Sequence, residues 1–133
     1  MMRKLTRLFL AATLWLPLLL NASDLETAVG AYESGDYRTA YRHLKQLALN
    51  DYPKAQYLLG LLYYQGQGVK QNIEEGIGWL EEAANNGSYQ AAAELGQIYL
   101  AGAGVERNET EAMKWIQRAD ELANADNSEE GCD

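Results

Sequence analysis

The chain has 133 residues, enough for one domain, and 47% of them are hydrophobic. Asp and Glu outnumber Lys and Arg by 19 to 11, which gives a formal net charge of −8 and argues against nucleic-acid binding, because such proteins present a basic face. The single cysteine, Cys132, has no partner for an internal disulfide, so the fold has to be stabilised by packing alone.

Residues 1–22 have the pattern of a secretory signal peptide. Three basic residues lie among the first seven, an apolar run follows over 8–20, and the small residue Ala22 precedes Ser23. We therefore predict cleavage between Ala22 and Ser23, with export to the periplasm or secretion. The apolar run is shorter than the roughly 20 residues of a spanning helix, so a retained anchor is the less favoured alternative.

Cleavage would leave 8 Lys and Arg against 19 Asp and Glu, a net charge of −11. Such a charge disfavours contact with anionic lipid surfaces, and we expect no stable membrane insertion after cleavage. Most of the acidic residues lie on predicted helix faces and in the tail, where they keep the surface solvated.

Residues 23–50 predict a first, short helix pair. The first helix spans Asp24–Ser34, Gly35 and Asp36 form the turn, and the second helix begins at Tyr37 and ends near Asn50. The apolar residues of both helices follow helical spacing and are Leu25, Ala28, Val29, Tyr32, Tyr37, Ala40, Tyr41, Leu44, Leu47 and Ala48.

Two longer units follow, at 51–87 and 88–123, and they are copies of each other. With a shift of 36 residues, 11 of 34 positions are identical between 53–86 and 89–122. A period of this length is typical of stacked helical units, each of which buries its apolar face against the next.

Each copy predicts two helices joined by a Gly-x-Gly-Val loop. In the first copy these are Pro53 to about Gln65 and Ile73 to about Asn85, and in the second they are Tyr89 to about Ala101 and the helix from Asn108 to near Ala123. Three polar residues, Asn72, Ser88 and Asn108, are placed to cap helices. The segment 124–133 is acidic and lacks apolar periodicity, so it is predicted to be a disordered tail.

The repeated motif, A-x3-L-G-x2-Y-x2-G-x-G-V followed by Trp and Ala, resembles the Sel1-like repeat, a relative of the tetratricopeptide repeat. It begins at Ala55 and again at Ala91, and the tryptophans are Trp79 and Trp115. The resemblance implies an all-α fold, a short α-solenoid of three antiparallel helix pairs: one degenerate tetratricopeptide-like unit and two Sel1-like repeats. We expect Trp79 and Trp115 to be buried anchors, and His43, in the same slot, to pack between helices.

The sequence gives little support for catalysis, and we expect no cofactor and no metal. The Gly-x-Gly loops lack the strand, the third glycine and the lysine of phosphate-binding loops, and His43 is the only histidine. Neighbouring glutamates such as Glu81 and Glu82 diverge on a helix and do not form an acid/base pair. Some cysteine-rich secreted relatives are described as acting on β-lactams, but their cysteine pairs are absent here.

The first helix of each pair in such a solenoid lines the concave side, which is the usual binding face. We predict a protein-binding face formed by Tyr57, Leu61 and Tyr64 and by their counterparts one period later, Ala93, Gln97 and Leu100. An equally weighted alternative is that the three large side chains cover the short first unit.

The sequence therefore predicts a non-catalytic adaptor that binds a protein or peptide in the periplasm. One alternative is a weak enzyme or ligand-binder acting on cell-wall fragments or β-lactams. A second is a self-assembling structural component, because self-association could cover the last helix pair.

Overall fold

A computed structural model of the chain describes the backbone of residues 16–129 and the side chains of 23–128. This part of the chain contains six α-helices and no strand. They are α1 (Leu16–Glu33), α2 (Tyr37–Leu49), α3 (Pro53–Gln65), α4 (Ile73–Asn85), α5 (Tyr89–Ala101) and α6 (Glu109–Glu129). The bounds of α2 to α5 agree with the prediction.

The helices form three consecutive pairs, α1–α2, α3–α4 and α5–α6, and each pair packs on the next through α2–α3 and α4–α5. The result is the predicted all-α solenoid. Its core is built from aliphatic residues that repeat along the pairs, with Leu44, Leu59, Leu62, Leu80 and Leu95 fully buried. The buried Gln56 joins three helices, since its Nε2 donates to Ala48 O at 3.2 Å and its Oε1 accepts from Asn86 Nδ2 at 2.9 Å.

Side-chain caps begin four of the helices. Asp36, Asn72, Ser88 and Asn108 each accept a hydrogen bond from the backbone N–H three residues later, at 3.0–3.2 Å. Each cap satisfies an amide that has no partner inside its helix, which fixes the residue at which the helix begins. The caps predicted from the sequence are thereby confirmed.

Glycines allow the two helices of each repeat to approach closely. A Cβ atom added to Gly60 on α3 would lie 2.9 Å from Gly76 O on α4, and one added to Gly96 on α5 would lie 2.7 Å from Ile116 Cγ1 on α6. After each crossing the first helix ends in a left-handed glycine, Gly66 with φ 70° or Gly102 with φ 66°. The two Gly-x-Gly loops are therefore structural turns.

Both terminal helices extend beyond their predicted limits. Helix α1 is described from Leu16, eight residues before the predicted start, because leucine favours a helix and Pro17 lies in the first turn, where a proline is tolerated. Its course includes Ala22 and Ser23, so the structure does not test the predicted cleavage. The rest of the predicted signal peptide, 1–15, lies outside the described residues.

Helix α6 continues to Glu129, so the prediction of a disordered segment is wrong for 124–129. The physical reason is that no glycine or proline stops the helix before Gly131, and α6 can propagate through polar residues. Residues 130–133, with Cys132, lie outside the described part of the chain. No helix between Leu16 and Glu129 combines the length and apolar character needed to cross a bilayer.

The two tryptophans differ in burial, and the prediction of a buried anchor is correct for only one of them. Trp115 is 6% exposed, whereas Trp79 is only partly buried and its Nε1 donates to Glu75 Oε1 at 3.0 Å on the surface of α4. Helix α4 instead buries Ile77, Leu80 and its alanines. The equivalent His43 is also half-exposed, with Nδ1 4.0 Å from Asp24 Oδ1.

Candidate functional site

A groove of about 650 Å³ lies where the N-terminal ends of α3 and α5 meet the C-terminal part of α6 and the side of α1. We call it the helix-end groove. Its lining is largely aliphatic and aromatic and consists of Leu25, Tyr52, Pro53, Lys54, Tyr57, Leu58, Gly87, Ser88, Tyr89, Gln90, Leu122, Ala125 and Asp126.

The starts of α3 and α5 position most of the groove wall. Pro53 occupies the first turn of α3, where its missing N–H costs nothing, and the extended Tyr52 precedes it. Ser88 Oγ accepts from Ala91 N at 3.2 Å and so begins α5 at Tyr89. The side chains of these first turns therefore stand side by side along one edge of the solenoid.

The groove combines aromatic surface with few charges. Tyr89 is 42% exposed and Tyr57 is half-buried, while Lys54 and Asp126 supply one charge of each sign. Burial raises the pKa of Tyr57, and the nearby Glu94 carboxylate raises it further. The Tyr57 phenol therefore stays protonated near neutral pH and can donate a hydrogen bond. This combination suits an amphipathic peptide, which offers apolar side chains and backbone carbonyls together.

The predicted face on α3 is divided by the fold. Tyr57 lines the helix-end groove, but Leu61 is only 8% exposed, so the exposure that we predicted for it is wrong. Tyr64 is half-buried, and its hydroxyl donates to Ala103 O of the second Gly-x-Gly loop at 2.8 Å. Tyr64 therefore joins the two repeats, which is a packing role.

The counterparts on α5 do not line the groove. Ala93 is half-buried, Gln97 is exposed and Leu100 is 45% exposed. Of the six predicted positions, only Tyr57 lies in the groove. Sequence reasoning missed Tyr52, Tyr89 and Leu122. The one available signal was that Tyr89 directly follows the capping residue Ser88, at the very start of a helix.

A second polar cluster joins α2 and α3 through two tyrosines. The hydroxyls of Tyr41 and Tyr63 lie 3.0 Å apart, and Lys45 Nζ donates to Tyr41 Oη at 3.3 Å. Burial, and then the hydrogen bond with Tyr41, raise the pKa of Tyr63, whereas that hydrogen bond and Lys45 lower the pKa of Tyr41. The rings meet edge to face with centroids 5.7 Å apart, so the pair acts as a packing contact with a satisfied polar edge.

The corresponding tyrosine of the second repeat contacts an acid. Burial raises the pKa of Glu81, the Glu111 carboxylate raises it further, and a hydrogen bond with Tyr99 opposes the shift. The two acids border a depression of about 470 Å³ between α4 and α6, whose lining also includes Glu121, Lys114 and Arg118. Charges of both signs are thus mixed there, as on an ordinary solvated surface.

No group of three or more His, Cys, Asp or Glu residues in the described part of the chain is arranged to hold a metal ion. His43 lies beside Asp24, Arg42 and Asn50 in a small depression and has no nucleophilic side chain among the residues that line it.

The model of the Sel1 repeat matches the chain at residues 53–88 and 90–123. Among solved structures, the chain is similar to a Sel1 repeat protein from Oxalobacter formigenes, with 32% identity and a TM-score of 0.65 over 80% of this chain and 43% of that protein. It is also similar to c5321, a protective antigen of uropathogenic Escherichia coli strains that displays an SLR fold, with 29% identity and a TM-score of 0.69 over 79% of this chain and 23% of that one.

The chain thus spans less than half the length of either protein. No curated protein matches it significantly.

Proposed function

Because the chain belongs to the Sel1 repeat family, whose members are generally protein–protein interaction modules, we propose that it is a non-catalytic adaptor that binds a protein or peptide segment. The observation that carries this proposal is the helix-end groove, whose lining includes Tyr57 of α3, Tyr89 of α5 and Leu122 of α6. Aromatic side chains provide a large contact area at a low cost in conformational entropy, and they are enriched among the residues that dominate binding energy.

The groove favours a peptide over a small metabolite. It is open along one edge of the solenoid, and its walls come from four helices, so a segment of several residues can contact all of them at once. Lys54 at the start of α3 and Asp126 near the end of α6 add one charge of each sign to the lining of the groove. A bound segment can therefore form charge pairs with the groove in addition to apolar contacts.

We place this activity in the periplasm or outside the cell. The basic start, the apolar run and the Ala22–Ser23 junction support export, and the net charge of −11 after cleavage suits a freely diffusing protein. The acidic surface also discourages adsorption to anionic lipid headgroups.

Comparative affinity capture from periplasmic extract tests the proposal. The wild type, Tyr89→Ala and the matched control Leu49→Ala serve as baits; Leu49 is also an exposed apolar residue, at 61%, but does not line the groove. We expect one or more proteins to be retained by the wild type and Leu49→Ala and lost with Tyr89→Ala, in mass spectra of the eluates. Equal capture by all three baits would place the interaction elsewhere, and recovery of muropeptides instead of a protein would favour the ligand-binding alternative.

A further inference from the structure

The equivalent tryptophans of the two repeats make different contacts. We call 51–87 repeat 1 and 88–123 repeat 2, so that Glu75 corresponds to Glu111, Gly78 to Lys114 and Trp79 to Trp115.

Repeat 2 carries a cation on its tryptophan. Lys114 Nζ lies 5.0 Å from the centroid of the Trp115 ring and donates to Glu111 Oε1 at 3.0 Å. The ammonium is thus held by a ring and a carboxylate at once, and both contacts favour a positive charge. The buried Trp115 Nε1 has no hydrogen-bond partner among the described residues.

Repeat 1 has the same ring and carboxylate without the lysine. Trp79 Nε1 donates to Glu75 Oε1 at 3.0 Å, which holds the carboxylate at the edge of the ring, and the third position is Gly78. A Cβ atom added to Gly78 would meet nothing within 4 Å. Trp79, Glu75 and Gly78 line an open depression of about 380 Å³ together with Asn72, Glu74 and Glu82.

We propose that this depression, the Trp79 site, binds a lysine ammonium of a protein partner, in the place that Lys114 fills in repeat 2. Glu74 and Glu82 add negative charge at the rim, and no basic side chain of the described chain lines the depression. The site shares no residue with the helix-end groove, so it does not depend on that groove being a binding surface.

A lysine ammonium is the group that repeat 2 holds against the equivalent ring and carboxylate. The Trp79 indole is more exposed than that of Trp115, so more of its ring is accessible to a group from another molecule. The acidic character of the protein raises the local concentration of a basic partner, and salt should weaken the contact.

The test is a titration with the blocked peptide acetyl-Gly-Lys-Gly-amide, followed through the indole N–H signals in NMR spectra of the protein. Spectra of Trp79→Phe identify the Trp79 signal. We expect this signal to shift in a saturable, salt-sensitive way while the Trp115 signal stays in place. The same peptide with Nε-acetyl-lysine should bind at least several-fold more weakly, because acetylation removes the charge.

Two variants test the assignment of the residues. Gly78→Lys supplies the missing lysine within the chain, so it should move the Trp79 signal without peptide and abolish the response to peptide. The matched control Gly30→Lys makes the same change at another exposed helical glycine with open space around it, on α1, and should leave the response intact. Glu75→Gln keeps an oxygen acceptor for the indole but loses the charge, and should weaken binding about two- to five-fold.

The proposal is overturned if the Trp79 signal does not respond to the lysine peptide, if the acetylated peptide binds equally well, or if Gly78→Lys binds peptide as the wild type does. None of these results would affect the helix-end groove, whose own test uses other residues and another readout.

Discussion

The close crossing of α3 and α4 makes Gly60→Ala a sharp test of the packing. A Cβ atom at residue 60 would lie 2.9 Å from the backbone oxygen of Gly76 and 2.9 Å from Leu80 Cγ. The oxygen belongs to the α4 backbone, so no rotamer change can relieve this contact. The two helices have to separate by several tenths of an ångström, which disturbs the fully buried Leu59, Leu62 and Leu80 around the crossing.

Overpacking of this kind costs about 1–3 kcal/mol, whereas replacing a glycine inside a helix with alanine returns about 1 kcal/mol of helix propensity. We therefore expect Gly60→Ala to lose up to about 2 kcal/mol of unfolding free energy. For a domain of this size, a loss at the upper end of this range lowers Tm by about 5–15 °C.

Two matched substitutions complete the series. A Cβ atom at residue 96 would lie 2.7 Å from the Ile116 side chain and 3.4 Å from the Ala112 backbone oxygen. A rotamer change of Ile116 can relieve the shorter contact, so the stability of Gly96→Ala should stay within about 1 kcal/mol of the wild type. Gly78 has open space around it, and Gly78→Ala should gain up to about 1 kcal/mol. Thermal and urea unfolding followed by circular dichroism at 222 nm gives the order of stability of the three variants. If Gly60→Ala unfolds at or above the temperature at which Gly78→Ala unfolds, the close contact between the α3 and α4 backbones does not require a glycine at residue 60.

Three further predictions address the core, the tyrosines and export. Trp115→Ala should lower the free energy of unfolding by about 3–5 kcal/mol and Trp79→Ala by less than half of that, because only Trp115 is buried. Equal losses of unfolding free energy in urea would contradict this difference in burial. Burial and the neighbouring phenol raise the pKa of Tyr63 above its ordinary value of 10.0, so the folded protein keeps this proton after the unfolded chain has lost it. The contribution of Tyr63 to stability should therefore be complete below about pH 10 and fall above it. In urea unfolding at alkaline pH, Tyr63→Phe should flatten that fall, and an equally steep fall in the variant would show that the phenol is solvated. N-terminal sequencing of the periplasmic protein should begin at Ser23, and an intact N-terminus in the membrane pellet would contradict cleavage.

The sequence was sufficient for the features that depend on local chemistry. The starts of α4, α5 and α6 could be predicted because Asn72, Ser88 and Asn108 each satisfy an amide only three residues away. The close crossing could be predicted because Gly60 and Gly96 recur at one position of the repeat despite their cost inside a helix. Such signals need no knowledge of the neighbouring units.

The predictions that were wrong concern burial, which depends on the neighbouring unit that covers each helix. Leu61 lies on a helix flanked by packed units, so the exposed stripe is narrower than a helical wheel predicts, and Leu61 becomes buried. Trp79 and Trp115 share a slot, but only the depression beside Trp115 is lined by two helices, α4 and α6, whereas the depression beside Trp79 is lined by α4 and its cap. The repeat pattern alone does not contain that difference.

The helix-end groove was beyond prediction for a related reason. Its walls come from residues as far apart in sequence as Leu25 and Asp126, and Ala125 and Asp126 lie on the part of α6 that we predicted to be disordered. Without that extension, one side of the groove would be missing from any reconstruction based on the repeats. Binding surfaces of solenoids are often formed in this way, by side chains that share an edge rather than a motif.

The polarity of repeat 2 bears on the alternative that copies of the chain stack end to end. The buried Leu58, Leu61 and Ala84 of repeat 1 correspond to Glu94, Gln97 and Asp120 in repeat 2, and these side chains are half-buried or exposed. Stacking another unit on these positions in the manner of repeat 1 would bury two carboxylates and an amide, each of which needs a partner to offset its lost hydration. The apolar exceptions are Met113, 60% exposed where repeat 1 has the buried Ile77, and Leu100, 45% exposed where repeat 1 has the half-buried Tyr64. Two such side chains are too small a patch to drive assembly. The composition of this face therefore favours the adaptor over the self-assembling component.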